Sequence, residues 1–341
     1  MQLYLDSFGA YLFVRNGMFA VRTRAGGERA FAVRAIGAVL LTKGTALSTD
    51  AALLAAEHDI PVILIDADTH FPLAQLGSGR SGSIATIRKN QALFARSAAG
   101  FAWVAQQIAR KIERQRALLR SLAEAPDAPP GFAADVGLCD RVLASIEREF
   151  REWTPPADLR DAAARFRGQE GTASRLYFQQ LAKYPAGRLR FESRQKRPAH
   201  DPFNTLLNYL YGMLYTSVQL AAMKSGLEPF LGILHADQYG DRPSFVFDAI
   251  EPYRPWADEV AVRLTLDGRL HESDFEPDPD ERGLWLGSTG KTAVIDAMLD
   301  HLQTPVPYDG RAVRRSAQID LDVQKLAVFL KEWGGENHPM P

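Results

Sequence analysis

The sequence predicts an α+β protein in which a small N-terminal β-sheet domain with one helix is joined by a short linker to a larger all-α domain. Three observations support this: β-type runs before residue 80, a Gly/Ser-rich stretch at 77–83, and apolar residues at helical spacing from residue 84 onward. The predicted boundaries are 1–80 and 81–333, followed by a disordered tail at 334–341. A chain of 341 residues is long enough for two such domains.

The predicted N-terminal domain begins with a hairpin. Residues 10–23 form two β-type runs joined by Asn16-Gly17, a pair suited to a turn with two positive φ angles. One helix is predicted in STDAALLAAEHD, with Ser48 or Thr49 as its N-cap. Further strands are predicted in RAFAV, GAVLLTK, PVILIDA and FPLAQL.

The rest of the chain predicts helices. Helical spacing extends from Ile84 to about residue 123, and the clearest helix covers 200–226, with Asp201 as N-cap, Pro202 at its first position and Gly226 as its C-terminal stop. Further helices are predicted in CDRVLASIEREFREW, DLRDAAARFR, KTAVIDAMLDHL and AQIDLDVQKLAVFLKEW.

Composition and local motifs exclude several classes of protein. The single cysteine, Cys139, excludes a disulfide framework and a cysteine-type zinc site. The segment LGSTGKT ends like a phosphate-binding loop, but Trp285 stands where that loop requires its first glycine. The absence of a signal peptide and of a membrane-spanning run predicts a cytoplasmic protein.

Charge is segregated along the chain, although the net charge is only -1. Bases are concentrated in 109–120 and 187–197, and acids in 271–281. Each run is compatible with a solvated surface, and together they also permit a local site for a polyanion.

A histidine and several acids are embedded in the apolar segment that begins near His235. A helix is predicted over 243–253, so Asp248 and Glu251, three residues apart, share one face. Two such carboxylates favour a cation between them: Arg254, another base, or a divalent metal such as Mg²⁺ or Mn²⁺. The alternative is an ion-paired helix face with His235 as a hydrogen-bonded core residue.

A second candidate acid is Glu170, which precedes Gly171 in the helical segment RGQEGTASRLYFQQL. Glycine inside a helix costs about 1 kcal/mol relative to alanine, which indicates close packing or a functional reason. This feature alone does not define a site.

Four segments occur in the order typical of one family: QEGTASRLYF (169–178), QKRPAHDPFNTLLNYLYGMLY (195–215), GLEPFLGILHADQYGDRPSFVFDAIEPYRPWAD (226–258) and AQIDLDVQKLAVFL (317–330). The chain resembles, on these segments, the CRISPR-associated protein one family, the integrases that insert new spacers into CRISPR arrays. The resemblance extends to about residue 330.

The resemblance implies a metal-dependent DNA integrase or endonuclease with a helical catalytic domain. It implies that Glu170, His235 and Glu251 bind one divalent ion, Mg²⁺ or Mn²⁺, and that Asp248 is a further active-site carboxylate. His235 then either binds the metal or assists proton transfer. Ala199 departs from a proline that is frequent in the basic block, a difference that does not affect the chemistry.

The same resemblance implies partners. The N-terminal domain is expected to form a homodimer, two dimers being bridged by the small CRISPR-associated protein two, on double-stranded and branched DNA (pre-spacer and CRISPR repeat) and without a membrane. Resemblance and charge together predict DNA contacts on the first long helix and on the segment before residue 200, from Arg88, Lys89, Arg96, Arg188, Arg190, Arg194, Lys196 and Arg197.

Three functional hypotheses follow. The first is an integrase of CRISPR adaptation, in which a DNA 3′-hydroxyl attacks a phosphodiester directly, without a covalent protein intermediate. The second is a transposon-borne integrase with the same catalytic domain. The third is a DNA-bridging scaffold with a degenerate site, against which the intact acids argue.

Overall fold

The computed structural model describes residues 2–24, 26–65, 72–76, 82–156, 158–184, 189–195, 198–235, 243–277 and 283–334. Most of the predicted Gly/Ser linker (77–81) and nearly all of the predicted tail (335–341) lie outside the described residues.

Among the described residues, two four-stranded sheets form the N-terminal part. One sheet has the order β1 (Gln2–Leu5), β5 (Ala38–Leu41), β7 (Val62–Ile65) and β8 (Pro72–Leu76), parallel except for β8. The other has the order β4 (Glu28–Phe31), β3 (Met18–Arg22), β2 (Tyr11–Arg15) and β6 (Ala46–Leu47). The predicted hairpin joins β2 to β3 through Asn16 and Gly17, at φ angles of 51° and 70°.

Among the described residues of this part, one α-helix is present, α1 (Thr49–Glu57). Ser48 is its N-cap, and its side chain accepts a hydrogen bond from the Ala51 N–H at 3.1 Å. One apolar core joins the helix to both sheets and includes Leu3, Leu5, Leu12, Phe19, Val39, Leu41, Ala51, Ala55 and Val62.

Helices dominate the rest of the chain. They are α2 (Gly82–Phe94), α3 (Ala98–Ala123), α4 (Phe132–Arg151), α5 (Leu159–Leu181), α6 (Pro202–Lys224), α7 (Ser244–Ala249), α8 (Arg254–Leu266), α9 (Ser288–Gln303) and α10 (Arg315–Glu332). The predicted caps of α6 are confirmed, since the Asp201 side chain accepts from the Asn204 N–H at 2.8 Å and Gly226 has a φ of 78°.

The first long helix is interrupted, so the prediction that Arg96 lies on it was wrong. This residue lies between α2 and α3, where Ser97 caps α3 by accepting a hydrogen bond from the Gly100 N–H at 3.1 Å. A Cβ on Gly100 would lie 2.1 Å from the carbonyl oxygen of Phe94. The close approach of the two helix ends therefore requires glycine at this position.

The helix predicted over 243–253 is also divided. α7 ends at Ala249, Glu251–Tyr253 form a 3₁₀ turn, and Arg254 begins α8. The proline at 252 has no N–H to donate within a continuous α-helix, which accounts for the break. Asp248 and Glu251 therefore do not share one regular helix face.

Within the predicted all-α part, the described residues include two short antiparallel strand pairs. β9 (Phe275–Pro277) pairs with β10 (Leu284–Leu286), and β11 (Pro305–Tyr308) pairs with β12 (Arg311–Arg314). The second pair turns through Asp309 and Gly310, both at positive φ, and this Asp-Gly pair was a signal available in the sequence.

The two parts of the molecule share an apolar contact. Leu220 and Met223 on α6 pack against Leu40, Ile63 and Ile65 of the first sheet. The predicted α+β fold class, a small β part followed by a larger helical part, is confirmed. The domain boundaries and the dimerising role of residues 1–80 stay predictions.

No helix in the described ranges combines the length and the apolarity that crossing a bilayer requires.

A buried histidine on α9 leads to a prediction about pH. Burial, followed by the nearby Arg315 and Arg263, lowers the pKa of His301 to about 3. The unfolded chain, with a histidine pKa near 6.5, therefore takes up a proton before the folded chain does, and stability is lost as pH falls below about 6.5. Between pH 7 and pH 5 the free energy of unfolding falls by about 2 kcal/mol because of this histidine.

The expected result is that His301→Leu reduces the loss of unfolding free energy between pH 7 and pH 5, measured by urea denaturation. The matched control is His58→Leu, which removes an exposed histidine and leaves the loss unchanged. An equal pH dependence in the wild type and His301→Leu would contradict the assignment.

Candidate active site

A cleft of about 1070 Å³ in the helical part brings the predicted acids together. It is lined by elements far apart in sequence, chiefly α3, α5, α6 and the chain from 234 to 254. Glu170, His235, Asp248 and Glu251, all predicted as site residues, lie in its wall. Its cationic lining residues are Lys111, Arg167, Arg175, Arg194 and Arg254.

Three of the helices around the cleft are joined by Asp258. This carboxyl group on α8 is fully buried and accepts hydrogen bonds from the hydroxyls of Tyr177 on α5, at 2.9 Å, and Tyr211 on α6, at 2.6 Å. Burial raises the pKa of Asp258 to about 6, although both hydroxyls act to lower it. The shared carboxyl group fixes α5, α6 and α8 relative to one another.

Glu170 projects from the middle of α5 into the cleft. Its Oε1 accepts hydrogen bonds from the Ser174 hydroxyl, at 2.8 Å and one turn away, and from the Lys111 ammonium. A Cβ added to Gly171 would contact nothing within 4 Å, so packing does not explain the glycine beside it.

His235 is held by Asp248. Its Nδ1 lies 2.6 Å from Asp248 Oδ1, and Asp248 Oδ2 accepts from the N–H groups of Ile233, at 2.6 Å, and Leu234, at 3.2 Å. Because a carboxylate only accepts, Nδ1 carries the proton, and the lone pair of the ring is on Nε2. Asp248 is fully buried, whereas 20% of the His235 side chain is exposed to the cleft.

The backbone leading to His235 is fixed by a close approach to α7. A Cβ on Gly232 would lie 2.5 Å from the carbonyl carbon of Ser244, so glycine is required here. The Ser244 hydroxyl accepts from the Gly232 N–H at 3.0 Å and donates to the Phe230 carbonyl at 2.7 Å. Arg167 donates to the Leu234 carbonyl at 3.4 Å from the opposite wall.

Glu251 lies between two cations. Arg254 Nε donates to its Oε1 at 2.8 Å, and Lys111 Nζ donates to its Oε2 at 2.6 Å. The Arg254 guanidinium is fixed by a hydrogen bond to the Tyr215 hydroxyl at 2.8 Å and by the face of the Tyr211 ring, 5.1 Å from its centroid. Although burial raises the pKa of Glu251, Arg254 and Lys111 lower it to about 2.

Lys111 on α3 joins Glu251 to Glu170. Its side chain is 3% exposed, and the ammonium bonds both carboxylates. Burial lowers the pKa of Lys111, but Glu170 and Glu251 raise it above its ordinary value. Burial likewise raises the pKa of Glu170, and Lys111 lowers it below its ordinary value. All three groups are therefore charged at neutral pH.

The position of the Lys111 ammonium between Glu170 and Glu251 indicates whether a metal ion could bind there. Glu170 and Glu251 approach one point closely enough to bind a single ammonium, so the donor set suits a divalent cation there. Across the described residues, no three acidic, histidine or cysteine side chains enclose a metal position in this arrangement. A complete metal site would require the Lys111 ammonium to leave this point.

The predicted DNA-contact residues are only partly brought together. Arg194 lies in the cleft, donating to Asn204 and Asn208, and Arg190 is exposed just before it. Arg88, paired with Glu228 at 3.4 Å, and the exposed Lys89 and Arg96 lie outside the cleft lining. Three further predicted contacts lie outside the described residues: Arg188, Lys196 and Arg197.

Lys111 is the principal site residue that sequence reasoning missed. It belongs to the basic run at 109–120, which was compatible with a solvated face. A signal was nevertheless present, since Lys111 occurs at helical spacing with the apolar Ile108 and Ile112, which are fully buried. A lysine on an apolar stripe requires a buried partner.

Solved structures share this arrangement of a small β part and a larger helical part. A CAS1 protein from Thermotoga maritima matches with a TM-score of 0.70 and 19% identity, over 100% of both chains. A casposase bound to integration product matches with a TM-score of 0.67 and 20% identity, over 97% of this chain and 95% of that one. Similarity at this identity establishes the fold.

Sequence comparison establishes the family. The chain belongs to the family described as CRISPR associated protein Cas1, whose model matches residues 3–300. A CRISPR-associated endonuclease Cas1 of Archaeoglobus fulgidus is 27% identical over 97% of this chain and 96% of its own length. Another, of Rhodospirillum rubrum, is 33% identical over 71% of this chain and 69% of its own length. The resemblance seen in the sequence is therefore confirmed.

Proposed function

We propose that this protein is a metal-dependent DNA integrase and endonuclease of CRISPR adaptation, which joins the 3′-hydroxyl ends of a pre-spacer to the CRISPR repeat by transesterification. One observation carries the proposal. Within a cleft that also contains arginines, the ionised carboxylates of Glu170 and Glu251 converge on one cationic position. Relatives in the same family are named endonucleases, which agrees with this chemistry.

The residues that would hold the ion, Mg²⁺ or Mn²⁺, are Glu170, His235 and Glu251. Two carboxylates and one imidazole are a suitable donor set for either ion. When bound, the ion supplies charge stabilisation at the phosphorus and a template for the reacting oxygens.

The other groups of the cleft position and balance charge. Asp248 fixes the His235 ring through Nδ1, as it would for an imidazole that binds the ion. Arg254 keeps Glu251 ionised and fixed. Arg175 and Arg194, which line the same cleft, are suited to contact the phosphates of the DNA backbone.

The proposal includes partners and location. Residues 1–80 would form the homodimer interface, and the small CRISPR-associated protein two would bridge two dimers on pre-spacer and repeat DNA. One chain in the solved structure of a partial Cas6-RT-Cas1--Cas2 complex has the same fold, with a TM-score of 0.70 and 21% identity, which is compatible with such a partner. A cytoplasmic location would give the protein access to such DNA. Arg88, Lys89, Arg96 and Arg190 would then contact DNA beyond the cleft.

The test is strand transfer by the purified protein and its small partner, using a pre-spacer duplex and a plasmid that carries a CRISPR repeat. We expect a joined product with Mn²⁺ or Mg²⁺, and none with a chelator or with pre-spacer ends that lack the 3′-hydroxyl. Product formed from the blocked ends would contradict direct attack by the hydroxyl. Joining only of transposon ends, without use of the repeat, would favour the transposon-type alternative.

A further inference from the structure

Lys111 stands where the proposed ion would bind. Its ammonium donates to Glu251 Oε2 at 2.6 Å and also to Glu170, and only 3% of its side chain is exposed. Glu251 is buried and Glu170 is partly buried, so two carboxylates that meet one ammonium repel each other when no other cation is present. The lysine then holds them together. A divalent ion bound to both carboxylates would occupy the same position as the Lys111 ammonium, so the two cations cannot be there together.

A second observation shows where the ammonium can go. Gln115 lies four residues after Lys111 on α3 and also lines the cleft, so the two side chains are neighbours on one helix face. Gln115 is 2% exposed, and within the part of the chain that the structure describes its Oε1 has no hydrogen-bond partner. A buried acceptor without a donor is costly, and an ammonium would satisfy it.

We propose that Lys111 is an internal counter-cation, which bridges Glu170 and Glu251 in the metal-free protein and transfers to Gln115 when a divalent ion binds. This inference rests on the proposed function, because it takes Glu170 and Glu251 as the ion's ligands. Lys111 is then a positioning residue that sets the affinity of the site for the ion. It keeps the metal-free site assembled and makes metal binding weaker than the two carboxylates alone would give.

The test compares Mn²⁺ affinity, by paramagnetic resonance titration, in the full-length wild type, Lys111→Met and Gln115→Met. The two substitutions are expected to act in opposite directions. Lys111→Met removes the competing cation and should tighten Mn²⁺ binding by about tenfold or more. Gln115→Met removes the acceptor for the displaced ammonium and should weaken it by several-fold.

A thermal measurement separates this role from a merely structural one. Without metal, Lys111→Met should unfold roughly 5 °C or more below the wild type, because the two carboxylates lose their counter-cation. Saturating Mn²⁺ should restore most of that loss. A loss that Mn²⁺ does not restore, or an unchanged Mn²⁺ affinity, would overturn the proposal.

Matched controls are available on α3 and α6. Arg110→Met removes a partly buried cation that pairs with Asp322 at 2.8 Å and lies outside the cleft lining. Gln219→Met removes another buried amide, on α6. Neither should alter Mn²⁺ affinity. An effect of Arg110→Met equal to that of Lys111→Met would show a general charge effect and overturn the proposal.

Two further outcomes are distinguishable. If Glu251→Gln leaves the Mn²⁺ affinity of the wild type unchanged, the proposed metal site is wrong, and the role of Lys111 fails with it. If Glu251→Gln abolishes binding but Lys111→Met does not tighten it, only the counter-cation role fails. Should Lys111→Met not fold, a crystal structure of the wild type with Mn²⁺ decides. Nζ beside Gln115 supports the exchange, and Nζ still bonded to both carboxylates overturns it.

Discussion

Replacing Glu251 with glutamine is expected to slow DNA strand transfer by roughly a thousandfold. The carboxylate is buried, ionised and shared by Lys111 and Arg254, so the neutral amide removes the charge that would hold a divalent ion at the phosphorus. The amide keeps the shape of the side chain, so DNA binding is expected to persist. Strand transfer and DNA binding are measured separately on the same preparation.

The matched control is Glu113→Gln. Glu113 pairs with an arginine at 2.8 Å, as Glu251 does, but it lies outside the cleft lining and is 56% exposed. Its substitution should leave strand transfer unchanged. Retention of more than a tenth of the activity by Glu251→Gln, in folded protein, would contradict a role for this carboxylate in the reaction.

Replacing Asp248 with asparagine is expected to lower metal affinity or activity by about 10- to 100-fold. The asparagine oxygen can still accept from the N–H groups of Ile233 and Leu234, so the turn before His235 is preserved. Its amide nitrogen, however, then faces His235 Nδ1 and donates to it. The ring proton must move to Nε2, and the histidine loses the lone pair that a metal or a proton transfer would use.

A double-substitution cycle tests whether Asp248 acts through His235. If it does, Asp248→Asn should add little to the effect of His235→Ala, because the tautomer no longer matters once the ring is absent. Independent, multiplying effects of the two substitutions would show instead that Asp248 has a separate role. Thermal unfolding of each variant controls for loss of the fold.

Sequence patterns predicted those parts of the structure that depend on a few neighbouring residues. The Asn16-Gly17 hairpin and the caps at Ser48 and Asp201 were all found where residue chemistry required them. One error arose where the chain is broken by a contact that hydrophobic periodicity does not reveal. The interruption before α3 depends on the approach of Gly100 to Phe94, which are adjacent only in the folded chain.

The candidate site shows the same division. Glu170, His235, Asp248 and Glu251 were identified in the sequence, and the structure places all four in one cleft. The prediction that Asp248 and Glu251 share one helix face was wrong. Asp248 holds His235, whereas Glu251 is held by cations, because the break after α7 directs the two carboxylates to different partners.

The sequence by itself determined the fold class, the family and the acids on which the proposed chemistry depends, because these follow from local pattern and from residues in a fixed order. Only the tertiary structure decided that Lys111 lies between Glu170 and Glu251. The lysine is separated by 59 residues from one carboxylate and by 140 from the other. Burying its charge is favourable only where both carboxylates meet it, and that balance of desolvation against ion pairing exists only in the folded molecule.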